Sequence, residues 1–218
     1  MGKRVKGKEV KGKETKDKPK SKIYIFCEGD TEKIYLKHFE NRTYNVEVIS
    51  VDSGHTDAIG IVRFAKEYIQ KNKLEIPYGD KGYCVFDSDP ISNTNIKEAF
   101  NLIEGVRNKG LDCIFSNPCF EVWFVLHFGN VPHGNTAEQM KHYIKKVLKE
   151  EIKLADYCET TDIYHELVSR QERAYISAKQ LYTRQSQVYC VHSHECNPHT
   201  DMFRFIEHMR ELKERNKG

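Results

Sequence analysis

Apolar and polar positions divide the first half of the chain into short buried runs, each followed by a helical stripe. Ile23-Tyr-Ile-Phe26 carries four bulky residues without a polar break, the pattern of a parallel strand covered on both faces. Behind it, Ile34, Tyr35, Leu36 and Phe39 recur at helical spacing, and Asp30 offers a side-chain oxygen to cap that helix. Val46 to Val51 predicts a second strand. The polar turn Ser53-Gly-His-Thr-Asp57 leads into a helix over 57–71, with Ile61, Phe64, Ala65, Tyr68 and Ile69 on its inner face. Tyr83-Cys-Val-Phe86 predicts a third strand ending at Asp87. A helix over 94–109 follows (Ile96, Ala99, Phe100, Ile103, Val106), closed by Lys109-Gly110, and then a fourth strand from Leu111 to Phe115. Strands alternating with helices in this way predict an α/β domain, a four-stranded parallel sheet with right-handed crossovers and helices on its faces.

The second half reads differently. Ser116 to Phe128 opens with a turn in which Asn117 precedes Pro118, a residue suited to the first turn of a helix. The helix that follows is apolar nearly all round, so Trp123, Phe124, Leu126 and Phe128 are expected in the core. Gly129 to Gly134 breaks the chain, and the remainder predicts helices over 136–151, 162–184 and 200–214. The expected organisation is an arm over 1–21, an α/β domain over 22–128 and a C-terminal helical extension over 129–218 packed on the same core. A chain of 218 residues is long enough for one well-buried domain.

Charge changes this picture at one end. Residues 1–22 hold ten Lys and Arg against Glu9, Glu14 and Asp17, a balance of +7; the whole chain carries +3, which leaves −4 for the remainder. An arm with so little to bury is expected to be disordered in isolation, serving either as a solubilising tail or as a tether that condenses on phosphates. Seven cysteines, an odd number in no regular framework, predict reduced thiols and a cytoplasmic location. No apolar run approaches the roughly 18 residues of a membrane span, and the N-terminus lacks the apolar centre of a signal peptide, so no membrane association is expected.

The candidate chemistry lies at the strand ends. Glu28 follows the first predicted strand, and Asp87-Ser-Asp89-Pro90 follows the third, at the crevice where open α/β sheets place their ligands. Each motif is also good turn and capping chemistry. If the two strands are neighbours, Glu28, Asp87 and Asp89 can face one pocket. Carboxylates so gathered raise one another's pKa unless a cation neutralises them. Oxygen ligands with no adjacent histidine favour Mg²⁺ or Mn²⁺ over zinc, and such a metal can activate water and stabilise charge on a phosphoryl oxygen. Glu121, in the first turn of the apolar helix, either reaches the same crevice or only meets the helix dipole; the same alternatives hold for Glu32, which could assist a second metal. Cys190, His192, His194 and Cys196 are zinc-compatible residue types, but strict alternation spreads them along a strand, and tetrahedral closure would need a loop. Arg170, Arg173, Lys179 and Arg184 fall in one helical stretch, either along a nucleic-acid backbone or as ordinary solvated surface.

Glu28-Gly-Asp-Thr-Glu32 after a first strand and Asp87-Ser-Asp89 after a third resemble the Toprim domain of topoisomerases, primases and the overcoming-lysogenisation-defect nucleases. Ser116-Asn-Pro-Cys-Phe-Glu-Val-Trp123, together with Asn197-Pro-His-Thr200, resembles the RloB family, small Toprim-like proteins linked to restriction loci and phage defence. The resemblance covers residues 22 to about 212, and His199 stands where the family pattern leads one to expect a small residue. It implies a Toprim-like fold, with Glu28 as general acid/base or metal-bridging glutamate and Asp87 and Asp89 as metal ligands. It further implies a Mg²⁺-dependent nuclease of antiviral defence by abortive infection, with RNA, including tRNA, favoured over DNA. The competing expectation is a non-catalytic or ATPase-controlled partner subunit that binds metal or nucleotide in the same pocket; a homo-oligomer stays open. A third is a small-molecule phosphohydrolase or nucleotidyl transferase, since fold does not fix reaction. Strand passage is disfavoured because no tyrosine module is evident, and a haloacid-type phosphatase because the acid pair follows the third strand instead of the first.

Overall fold

The computed structural model describes residues 21–40, 45–51, 57–76, 79–88, 93–190 and 192–215. Strands β1 (Ile23–Cys27), β2 (Val46–Ser50), β3 (Lys81–Asp87), β4 (Leu111–Asn117) and β5 (His199–Thr200) form one sheet in the order β2-β1-β3-β4-β5. The first four are parallel; β1 and β3, in the interior, carry the unbroken apolar runs, whereas β2 at the edge is half-exposed. The sheet is not four-stranded, however. β5 adds an antiparallel edge, with Ser116 opposite Thr200 and Asn117 opposite His199. A strand of two residues carries no periodicity of its own, so only its pairing with β4 defines it.

The helices are α1 (Asp30–Lys37), α2 (Ala58–Asn72), α3 (Asn93–Glu104), α4 (Glu121–Leu126), α5 (Ala137–Ile152), α6 (Tyr164–Leu167), α7 (Gln171–Gln185) and α8 (Met202–Arg215). Because side chains alternate along a strand, Ile23, Ile25 and Cys27 enter a core shared with α1, α4, α5, α7 and α8, while Tyr24 and Phe26 enter a second core under α2 and α3. Both sheet faces are therefore covered. Trp123, Phe124 and Leu126 are buried as expected, and the Trp123 Nε1–H donates to Tyr35 Oη at 2.9 Å, tying α4 to α1 inside the core. Two N-termini are closed by side chains: Asp57 accepts from the Gly60 N–H at 2.7 Å, and Thr136 with Gln139 forms a capping box.

Several local expectations are corrected. Asp30 does not cap α1; Gly29 is the N-cap and Asp30 is the first helical residue, leaving its side chain free to face the crevice. Pro118 does not start α4 but follows a cis peptide bond with Asn117, in the turn between β4 and that helix. The helix predicted over 94–109 stops at Glu104, and a short 3₁₀ turn over Arg107–Lys109 carries the chain to Gly110, whose φ of 82° suits only glycine without strain. The stretch 162–184 divides into α6, a 3₁₀ turn and α7, and the final helix begins at Met202. Among the described residues, no helix is long and apolar enough to cross a membrane. All seven cysteines are free thiols.

One feature of the strand order positions the site. From β1 the chain moves to β2 on one side, then returns past β1 to β3 on the other, so the connections leave the carboxyl ends of β1 and β3 in opposite directions. A crevice opens there, between α1 on one face and α2 on the other.

Candidate metal-binding crevice

A cavity of about 440 Å³ occupies that switch point. Glu28, just beyond β1, and Asp87, the last residue of β3, both line it, because β1 and β3 are hydrogen-bonded neighbours with Phe26 opposite Cys84. Asp89 lies outside the described residues. Of the two alternatives left for Glu32 and Glu121, both side chains line the cavity. The wall also contains Asp30, Asp57 and Glu159, against a single lysine among the described residues, Lys141 of α5. Glu159 and Lys141, which arrive from segments more than a hundred residues after β1, carry no local signal in the sequence, and Asp57 shows there only as the end of a polar turn.

Two of these carboxylates are deeply set. Glu121 is 2% exposed and its Oε1 has no hydrogen-bond partner; Asp87 Oδ1 is likewise covered and without one. An uncompensated buried carboxylate oxygen is costly, so the site favours either a proton or a cation there. Burial pushes the Glu32 carboxyl up to about 7, and the nearby Glu121 adds to the rise against the pull of Lys141. Burial likewise holds Asp87 well above the usual carboxylate range, with Glu32 and Glu121 adding to it and the Phe120 N–H and Lys141 opposing. Glu28, on the exposed rim, is raised by partial burial and then by Asp57. Burial disfavours the charged form of Lys141, but its bond to Glu159 at 2.5 Å and the charge of Glu121 outweigh this and raise its pKa.

The donors in this wall are oxygen atoms without a histidine, the set a hard divalent cation takes. Glu28, Asp87 and Glu121 could hold such an ion, with Glu32 beside them. Among the described residues, no three of these carboxylate oxygens lie within 4.8 Å of one another, so binding would draw the longer glutamate side chains inward.

The model of the family described as RloB-like protein matches residues 23–209, from β1 into α8. The chain belongs to the RloB-like family. Every described carboxylate of the crevice lies within that region. Comparison with curated proteins and with solved structures gave no match.

In this RloB-like chain Gly29 has a steric role. A Cβ there would stand 2.9 Å from Glu32 Cδ and closer still to one carboxylate oxygen. Its φ of −71° is open to any residue, so the constraint is the approach of Glu32 and not the backbone. Gly29→Ala is therefore expected to cost little stability, because the flexible end of Glu32 gives way, while it moves that carboxylate off the cavity wall. Thermal unfolding beside metal titration checks this: Tm within about 2 °C of the parent, the change for a substitution worth less than 1 kcal/mol, with measurably weaker metal binding.

The four zinc-compatible residues between Cys190 and Cys196 are not brought together. The segment over 192–196 forms turns instead of a strand, with Cys190 and His194 exposed and Cys196 buried. Asn117 holds it, donating through Nδ2 to the carbonyls of Ser193, His194 and Cys196. Of the basic residues grouped on the sequence, Arg170 lies over the Phe128 ring at 4.8 Å and Lys179 pairs with Glu207 at 2.7 Å, so these two are engaged within the fold.

Proposed function

We propose that this RloB-like protein is a metal-dependent nuclease of the Toprim type, hydrolysing phosphodiesters of RNA, tRNA included, with DNA as the less favoured substrate. The observation that carries this reading is the gathering of carboxylates at the switch point of the sheet, with buried Asp87 and Glu121 oxygens that have no hydrogen-bond partner, where a Mg²⁺ or Mn²⁺ ion would supply the missing counter-charge. When bound, that ion activates a water and stabilises charge on a phosphoryl oxygen. Asp87 and Glu121 supply buried oxygen ligands. Glu28, on the exposed rim, serves as acid/base or bridging ligand. Glu32, with its pKa near neutrality, can hold or release a proton beside them.

The preference for a polyanionic substrate is supported by α5. Lys141, Lys145 and Lys149 recur at i, i+4 and i+8, with His142, Lys146 and Lys153 alongside, and shallow hollows follow them from the crevice along the helix. A strand laid on this face would bring a phosphodiester to the cavity mouth. The +7 segment over residues 1–22 would add further phosphate contacts. In this reading the protein acts in the cytoplasm as an effector of phage defence.

The deciding experiment is incubation of the full chain with tRNA, mixed RNA, and single- and double-stranded DNA, in Mg²⁺, Mn²⁺ or EDTA. Cleavage is expected with either metal and none with EDTA. Reversing two charges on α5, Lys145→Glu with Lys149→Glu, should weaken binding of single-stranded RNA and reduce the slope of log K on log salt by about 1.4, or about 0.7 per lost phosphate contact. If no substrate is cut in any metal, autonomous catalysis is abandoned, and an ATPase-controlled partner subunit takes its place.

A further inference from the structure

A second cluster of chemistry-bearing side chains lies away from the crevice and shares none of its lining residues. Cys113 sits in β4, His192 in the turns after α7, and Asp201 between β5 and α8, yet their ligand atoms all lie within 4.8 Å of one another. His192 Nε2 is 3.2 Å from Asp201 Oδ2, and His199 Nε2 is 3.3 Å from Asp201 Oδ1. Asp201 and His199 are each 1% exposed. Neither ring nitrogen of His199 has a hydrogen-bond partner, nor has Asp201 Oδ1, although Arg204 Nε stands 3.5 Å from that oxygen. Phe100 stacks on the His192 ring at 4.2 Å and Phe115 lies 5.8 Å from that of His199, so aromatic walls fix both imidazoles.

We propose that Cys113, His192 and Asp201 form a zinc-class metal site that pins the loop between α7 and β5 to the sheet. Two nitrogen or oxygen ligands about 2.0–2.1 Å from one tetrahedral ion stand about 3.3 Å apart, close to the 3.2 Å between His192 Nε2 and Asp201 Oδ2. Thiolate and imidazole donors select zinc over the hard cations suited to the carboxylate crevice. An ion pair alone would account for the histidine–aspartate contacts but not for the Cys113 thiol beside them. Each Asp201 oxygen faces an imidazole nitrogen, Oδ2 that of His192 and Oδ1 that of His199, so the carboxylate is fixed where it would ligate. Metal binding takes the proton off the Cys113 thiol and releases it to solvent as the thiolate–metal bond forms. His199 stands beside the site and is not a ligand, its Nε2 3.3 Å from Asp201 Oδ1, the carboxylate oxygen that His192 leaves uncontacted.

Metal analysis of the full chain purified without chelator should find stoichiometric zinc. Co²⁺ added to the metal-free chain should give a thiolate-to-cobalt charge-transfer band in the near ultraviolet. Cys113→Ser should abolish that band, and His192→Ala should weaken Co²⁺ affinity by about 10²-fold or more. Glu32→Gln and Asp87→Asn, in the other site, should leave the band in place. Because Cys113 is buried, circular dichroism must show that its variant folds; His192, on the partly exposed loop, carries the test if it does not. Absence of the band in the parent chain, or its persistence in folded Cys113→Ser, would overturn the proposal and leave a buried histidine–aspartate ion pair only.

Discussion

Glu32→Gln is expected to stabilise the metal-free chain at pH 8 by about 2–3 kcal/mol, a rise in Tm on the order of 5–10 °C for a chain of this size. The sign follows from linkage. The Glu32 carboxyl titrates near 7 in the fold against an ordinary value of 4.5, so the folded state binds the proton more tightly than the unfolded state does. The stability it contributes is fully present below about 4.5 and is lost as pH rises through 7. Glutamine has no charge to desolvate, so the gain should be near zero at pH 4.5 and complete by pH 8. Comparing parent and variant isolates this effect from two imidazoles, one buried and one half-buried. Burial lowers His127 and His208 to about 4, so they destabilise the fold as pH falls below their ordinary value of 6.5, opposing the carboxylates there. Thermal melts across that range check the prediction, and a variant no more stable than the parent at pH 8 would remove the electrostatic case for the crevice. Adding Mg²⁺ or Mn²⁺ at pH 8 should raise the parent Tm more than that of the variant, since the ion neutralises the charge that glutamine has already removed.

Cleavage should fall by on the order of 10²-fold or more in Asp87→Asn, since loss of a group that merely orients a metal ligand already costs 10–100-fold. Asparagine keeps the volume and one oxygen but removes the charge that would bind the cation. The substitution also removes a carboxylate that burial and two neighbouring glutamates disfavour, so the metal-free variant should be at least as stable as the parent. Activity loss and stability gain in the same variant separate a ligand from a structural residue: a structural Asp87 would lose both together. Single-turnover assays beside thermal melts, with Glu121→Gln run in parallel, provide the test. Undiminished cleavage in Asp87→Asn would exclude the crevice as the site of reaction.

The two strand-end acids were legible because they depend on local rules. An unbroken apolar run marks a buried strand, and the residue after it stands at the sheet's carboxyl edge whatever the rest of the chain does. Glu28 and Asp87 are found in this way. Glu121 and Glu32 were visible as first-turn acids but not decidable, since the helix dipole and a crevice both explain an acid there. Lys141 and Glu159 had no local mark at all. The zinc-compatible types between Cys190 and Cys196 were noticed with the wrong partners: His192 turns to Cys113 and Asp201 from other elements, while Cys190 and His194 remain outside.

By itself, then, the sequence determined the alternation of strands and helices, the coverage of both sheet faces, the buried Trp123 helix and the acids that follow β1 and β3. These depend on periodicity and on side chains within a few residues, over which steric and solvation preferences act directly. Tertiary structure alone decided that β1 lies beside β3, that two residues near the C-terminus add a fifth strand, and that Glu121, Glu159 and Lys141 meet Asp87 across the crevice. Those meetings are made by long crossovers and loop closures, whose free energy comes from burying both cores and varies only slowly with the length of chain between the partners, so no local pattern records them.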